Sequence, residues 1–423
     1  MNRKDYGLIG ETVYSEKLNN GLSVFVVPKH GYHKYFAYFA TNYGGVDRRF
    51  RQNGDWVDTP QGVAHFLEHK MFDMTDGDAM IKLSSNGASP NAYTSADITA
   101  YHFDCVDRFI ENLDTLLSFV STPYFMAESV EKEQGIIAQE ILMSEDDPDY
   151  CLYYGLLKSL FKSNPIRDSV AGTVESISEI TSETLYKCHS VFYAPSNMAL
   201  CIAGNVDPQE VVDAALRLLP DLPGQIPQRD YGPPEAPEPV STVISKEMDV
   251  SLPIFLAGCK TSPVVHGSAA LRYELVGALS LEILAGHSSP LYFRLYDEGL
   301  VSNDFSASFD SVAGAAYSVF GGETRDPNRV FNEAIKELGK ISKNGPDSGL
   351  FSRIKKAAIG SNIRMLNSFD AICSSLVGGF FHGYDALEAH EQLSSITEDE
   401  ITSFLRENLI PDNMAVSTIL PKR

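Results

Sequence analysis

His65-Phe66-Leu67-Glu68-His69 sets two imidazoles four residues apart with a carboxylate between them. On a helix, positions i and i+4 lie about one turn apart on the same face, so both rings can aim a nitrogen at one ion. Glu68 falls beside them, close enough to take a proton from a metal-activated water without serving as a ligand. The spacing is that of a helix built to hold a catalytic zinc. Val63, Ala64, Phe66, Leu67 and Met71 also make the segment apolar, and paired histidines on such helices occur as hydrogen-bonded core or surface residues, so the pentapeptide needs support elsewhere in the chain.

A catalytic zinc usually takes three protein ligands and leaves a fourth position for water. Met126 to Ser144 reads as a helix with an apolar stripe through Val130, Ile137, Ile141 and Ser144, interrupted by Glu133 and Glu140. These two carboxylates are two turns apart on one face. Inside an apolar stripe they are costly unless a cation or hydrogen-bond donors satisfy them. Either residue alone fits a solvated helix; the pair is better explained by a metal.

Together, His65 to His69, Asn91-Ala92-Tyr93-Thr94-Ser95 and the Glu133/Glu140 pair resemble the pitrilysin (insulysin) family of zinc peptidases, which carries the inverted H-x-x-E-H motif and includes mitochondrial processing peptidase. The resemblance runs over essentially the whole chain, with three motifs in the family's order. It implies that His65, His69 and Glu140 bind one zinc per chain, that Glu68 is the general base, and that Glu133 supports the site from behind a ligand. It also implies that the strand edge at Asn91, Ala92 and Tyr93 pairs with the backbone of a peptide substrate, main-chain bonds giving affinity and side chains such as Tyr93 shaping pockets.

The family fold is a pair of similar α+β halves, two such chains or one double-length chain closing like a clamshell around a chamber that admits peptides or unfolded segments. The expected activity is therefore zinc-dependent peptide hydrolysis. A catalytically idle scaffold subunit of the same fold and a maturation protease dedicated to one peptide are the alternatives. One departure bears on partners. Single-motif relatives often carry an Arg and, seven residues later, a Tyr in the second half; aligning on Gly299-Leu300 puts Leu295 and Ser302 there, with Arg294 adjacent but out of register. A dimer is expected, favoured with a paralogous subunit that supplies the Arg/Tyr pair, with a homodimer as the alternative and Arg294, Tyr292 or Tyr317 as conceivable substitutes.

Composition narrows the field further. The formal charge is −22, from 34 basic and 56 acidic side chains, which makes nucleic acid and anionic membranes poor partners and leaves open a preference for basic peptides. The start of the chain lacks the apolar core of a secretory signal, and no apolar run is long enough to span a membrane, so a cytoplasmic protein is expected. Cys105, Cys151, Cys188, Cys201, Cys259 and Cys373 are scattered without paired spacing, as reduced and mostly buried thiols would be.

A chain of 423 residues is too long for one ordinary core. Prolines crowd between Pro220 and Pro239, excluding regular helix and suggesting an extended connector. Around it the chain echoes itself: Ile180-Thr181 leads to Pro195-Ser196-Asn197-Met198-Ala199-Leu200, and Ile396-Thr397 leads to Pro411-Asp412-Asn413-Met414-Ala415-Val416, 216 residues later at every matched position. The expected architecture is α+β, two similar halves each built of a mainly antiparallel sheet packed with helices. Residues 1–223 form the zinc-binding catalytic domain, 224–244 the linker, and 245–423 a homologous domain without a metal site. Within the first half, Leu22 to Pro28 and Tyr35 to Ala40 read as strands joined by a hairpin-like turn at Lys29-His30-Gly31-Tyr32. The metal helix is expected to begin near Pro60, another helix spans Asp78 to Ser85, and Thr99 to Cys105 alternates as a strand before a helix from Val106 to Val120. His30, His33 and His102 read as surface or sheet residues.

Overall fold

The computed structural model describes every residue except Pro223, Val265, Ala313 and Arg423. Two sheets organise it. The first contains β1 (Asn2–Tyr6), β2 (Glu11–Lys17), β3 (Ser23–Pro28), β4 (Tyr35–Thr41), β5 (Ser89–Thr94), β6 (Thr99–Cys105) and β7 (Met198–Gly204) in the order β1-β2-β3-β7-β4-β6-β5. The second contains β8 (Val243–Met248), β9 (Ile254–Thr261), β10 (Ser306–Val312), β11 (Ala315–Glu323) and β12 (Met414–Pro421) in the order β8-β12-β9-β11-β10. Only β3 with β7 and β8 with β12 pair in parallel among these strands. The five strands from β3 to β5 thus recur, in order and direction, as the five of the second sheet. The sequence echo falls on matching elements: each copy places a short 3-10 turn, Pro195–Asn197 or Pro411–Asn413, immediately before β7 or β12.

The hairpin expected between β3 and β4 does not form. β7 lies between them, parallel to β3 and antiparallel to β4. A local turn signal at Gly31 cannot reveal a strand that arrives from residue 198, and the fully buried β7, with every residue from Met198 to Gly204 inside, is what the centre of such a sheet demands.

The helices that matter here are α1 (Val63–Met71), α2 (Ala79–Ser85), α3 (Phe109–Ser121), α4 (Ala127–Glu145), α5 (Pro148–Leu160), α6 (Ser182–Phe192), α7 (Pro208–Leu218), α8 (Ser268–Ala285), α9 (Pro290–Asp297), α10 (Pro327–Asn344), α11 (Ser348–Met365), α12 (Phe369–Phe381) and α13 (Glu398–Asn408). On one face of the first sheet, α1, α3, α4, α6 and α7 bury a core that includes Phe66, Leu67, Leu116, Ile137, Phe192 and Leu200. Its other face is covered by α12, whose Ile372, Cys373, Leu376 and Val377 pack on Tyr38, Ala100, Ala199 and Cys201. The exchange is reciprocal. From the first half, α5 lays Leu156, Leu157 and Leu160 against Tyr317, Val319 and Ala415 of the second sheet. Described residues between α7 and β8 form neither helix nor strand beyond one bridge from Arg229 to Phe50.

Helix α1 starts at Val63, three residues later than Pro60 suggests. Gly62 is its N-cap at φ 89°, and a Cβ there would sit 2.5 Å from Ala171 O, so both the left-handed backbone and the close approach require glycine. Among the described residues no helix is long and apolar enough to cross a membrane. All six cysteines are free, five of them buried and Cys151 partly exposed.

Candidate metal centre

Helix α1 buries Val63, Ala64, Phe66, Leu67 and Met71, which turns His65 and His69 toward α4. There the buried stripe is Val130, Ile137 and Ile141; Glu133 and Glu140 do not interrupt it but flank it, on the side that meets α1. His65 Nε2 lies 3.5 Å from Glu140 Oε1, and His69 Nε2 lies 3.7 Å from Glu140 Oε2. Their ligand atoms all fall within 4.8 Å of one another, and they form the one such group of three potential ligands among the described residues.

These separations are long for hydrogen bonds and right for an ion between the donors. Zinc binds N and O ligands at about 2.0–2.2 Å in tetrahedral geometry, which spaces neighbouring ligand atoms roughly 3.3–3.6 Å apart. Two imidazoles and one carboxylate facing a shared space are also a donor set typical of catalytic zinc. The residues present therefore fit the metal.

The two histidines are braced differently. His69 Nδ1 lies 3.0 Å from Glu133 Oε1, which fixes the proton on Nδ1 and leaves Nε2 free to ligate. Burial opposes a charged His69, yet the Glu133 hydrogen bond and the charges of Glu68, Glu133 and Glu140 lift its pKa above the ordinary histidine value. His65 Nδ1 is buried without a hydrogen-bond partner among the described residues. The Glu140 carboxyl is held below the usual range chiefly by His65, with partial burial acting in the other direction.

Glu68 is 8% exposed and points toward β5, where the Thr94 hydroxyl donates to its Oε2 at 2.6 Å. Strand β5 is the terminal strand of the first sheet, paired on one side only, with β6. Ser95 N donates to Ile98 O at 2.7 Å, and antiparallel alternation from that pair turns the backbone groups of Thr94 and Ala92 to the free edge. Ala92 N–H is already engaged by Asn91 Oδ1 at 2.9 Å. Side chains alternate between the two sheet faces, so Thr94 and Ala92 share the face of α1 while Tyr93 takes the opposite one, its hydroxyl 2.6 Å from that of Tyr38. Tyr93 therefore lies on the sheet face opposite Glu68.

The two family positions and the residues considered as stand-ins for the Arg/Tyr pair all have partners in the structure, Tyr317 across the halves. Leu295 is fully buried in the second core. Ser302 Oγ contacts Asp304. Arg294 pairs with Glu337 at 3.2 Å, Tyr292 donates to Asn303 at 3.2 Å, and Tyr317 bonds Tyr153 at 2.6 Å.

Two residues beside the centre had no role from sequence, Thr94 against Glu68 and Lys70, whose Nζ lies 3.7 Å from Glu133 Oε2. Thr94 stood inside the Asn91 to Ser95 motif, where strand alternation sets it with Ala92 and opposite Tyr93 but does not say which face meets Glu68. Lys70 directly follows His69, and a lysine on the inner side of a short apolar helix was the available signal.

Residues 53–174 match the family model described as insulinase (peptidase family M16), and residues 179–358 match that of the peptidase M16 inactive domain. The chain is 37% identical over 428 residues to the uncharacterized zinc protease YmfH of Bacillus subtilis (strain 168), with 99% of each covered. It shares 34% identity with an M16-like peptidase from Alicyclobacillus acidocaldarius, whose solved structure superposes with a TM-score of 0.93 over 97% of this chain and 99% of that one. Against pitrilysin the likeness is in fold: TM-score 0.79 at 17% identity, 99% of this chain lying on 46% of pitrilysin.

Proposed function

We propose, from the premise that this chain belongs to the insulinase family (peptidase family M16), that it is a zinc-dependent peptidase acting on peptides or unfolded segments. The observation that carries this reading is the facing of His65 Nε2, His69 Nε2 and the Glu140 carboxylate at 3.5 and 3.7 Å, with a buried carboxylate, Glu68, next to them in sequence and free of the triad.

Zinc, when bound, supplies a Lewis acid that makes water a competent nucleophile near neutral pH and polarises a peptide carbonyl. Glu68 takes up the proton that this water loses on attacking the carbonyl carbon, then delivers it to the departing amine nitrogen. Thr94 holds the Glu68 carboxylate while this happens, and Glu133 holds His69. The substrate lies as an added strand on the open edge of β5, bonding to the outward backbone of Ala92 and Thr94 once the Asn91 side chain gives way. Such pairing is indifferent to most substrate side chains.

Donors for the developing oxyanion complete a peptidase site, and removing one typically costs about 10²–10³ in rate. With Arg294, Tyr292 and Tyr317 all engaged elsewhere, the donors come from a second chain, favoured as a paralogous subunit, so the working form is a dimer. The cell compartment in keeping with free thiols is the cytoplasm. A catalytically idle scaffold is the competing reading. The match to the inactive domain runs from residue 179, in the last part of the first half, to residue 358 of the second, and includes none of His65, Glu68, His69 and Glu140.

Incubating the purified protein with a peptide library, before and after chelator treatment and with zinc restored, tests the proposal. Zinc-restorable cleavage is expected. Cleavage that is insensitive to chelator, or none in the presence of every related subunit, would overturn it.

A further inference from the structure

Lys70 is 1% exposed, and it occupies an inner position of α1 where an apolar residue would ordinarily sit. Burying an ammonium group costs several kcal/mol unless charged and polar partners compensate. Its partners are specific. Nζ pairs with Asp73, donates to Ser129 Oγ at 2.6 Å, and lies 3.7 Å from Glu133 Oε2. Ser129 in turn donates to Asp73 Oδ2 at 2.7 Å. Asp73 and Ser129 thereby hold the ammonium in place from α1's end and from α4.

The geometry around Glu133 gives this arrangement a direction. One carboxylate oxygen, Oε2, faces the Lys70 ammonium, and the other, Oε1, faces His69 Nδ1 at 3.0 Å. Lys70, Glu133 and His69 thus form a row that ends at the candidate ligand. A carboxylate able to swing would accept His69 N–H in several orientations; one whose far oxygen is drawn toward a buried cation 3.7 Å away favours fewer of them. The ammonium also offsets part of the negative charge gathered by Glu68, Asp73, Glu133 and Glu140 around two imidazoles.

We propose that Lys70 is a positioning residue of the metal centre, its ammonium holding Glu133 in the orientation that leaves His69 Nε2 free to bind zinc. The inference rests on the zinc reading above and concerns a residue outside the motif. The bland alternative is that Lys70 only ties the end of α1 to Asp73.

Zinc affinity, measured by competition with a chromophoric chelator on wild type, Lys70→Met, Glu133→Gln and the double variant, separates the two. Losing a group that hydrogen-bonds a metal ligand typically costs about 10–100-fold in metal affinity, and because Lys70 acts through Glu133, Lys70→Met is expected to weaken binding by about tenfold. The double variant should bind no worse than the weaker single one, since the two residues share one effect. Lys70→Arg should recover part of the loss. Should Lys70→Met fail to fold, Lys70→Gln, which keeps a donor and loses the charge, takes its place with the same expectations. Wild-type affinity in the charge-removing variant, or losses that multiply in the double variant, would overturn the proposal. A wild-type protein that takes up no zinc would instead remove the reading on which it stands.

Discussion

Thr94 and Glu68 are joined by a 2.6 Å hydrogen bond that spans from the edge strand β5 to α1. The carboxylate can only accept, so Thr94 donates. Thr99 Oγ lies 3.3 Å from the Thr94 hydroxyl and donates to Tyr43 O at 2.9 Å, which steadies the threonine from β6. A residue whose main chain faces the open edge thus has its side chain on Glu68, the proposed general base.

Replacing Thr94 with valine keeps the shape and removes the donor. A hydrogen bond to a charged group contributes about 1.5–3 kcal/mol, so kcat should fall by roughly 10–100-fold with zinc content unchanged, and Thr94→Ser should restore most of it. Steady-state kinetics with metal analysis on both variants provide the check; equal kcat in Thr94→Val and wild type would mean that the bond is idle.

Glu68→Gln should abolish peptide cleavage while the metal stays bound, because Glu68 sits beside the triad of His65, His69 and Glu140 and not within it. Elemental analysis that found the metal lost, or unchanged turnover, would refute this role.

Glu140→Gln should lower zinc affinity much more than Glu133→Gln. Glu140 faces both imidazole Nε2 atoms, whereas Glu133 reaches only His69 Nδ1; loss of the charged ligand should exceed the roughly 10–100-fold typical of outer residues. Chelator titrations that gave the reverse order would exchange the two glutamates.

Acid sensitivity should have one identifiable source in His189. Burial pushes its pKa down to about 4 against a Val120 O hydrogen bond that favours the proton. The folded state therefore holds it neutral where the unfolded chain is protonated. Its stabilising effect is complete above an unfolded pKa of about 6.5, falls as pH drops, and is lost near pH 4, a change of about 3 kcal/mol. Urea midpoints at pH 7 and 4.5 should differ less in His189→Gln, which keeps a donor for Val120 O, than in wild type; an identical difference would assign the acid limb to other groups.

Local patterns were legible in the sequence where one element decides its own burial. Thr99 to Cys105 alternates because one strand sees two faces, and it forms β6 with those limits. The helix after Asp78 was readable from its cap, and Asp78 accepts from Ile81 N. The approach of His65, His69 and Glu140 was inferable only because helical spacing and the family motifs agreed. Long-range placement was not legible. Nothing near residues 28 to 35 reports that β7 will separate β3 from β4, and nothing in the Glu133 helix reports that Lys70 will stand behind it. The side of the sheet taken by Tyr93 follows from alternation once Thr94 is placed, but which face meets α1 depends on packing, not on the motif.

The exchange of α5 and α12 makes the two halves one cooperative unit. One face of each sheet lacks a cover until the opposite half is present, so a half produced alone would leave the apolar surface around Tyr38 and Cys201, or around Tyr317 and Val319, open to water. Unfolding should pass through a single transition despite the internal duplication. A chain cut within the proline-rich connector should hold together, because the covalent link there is the least of what joins the halves.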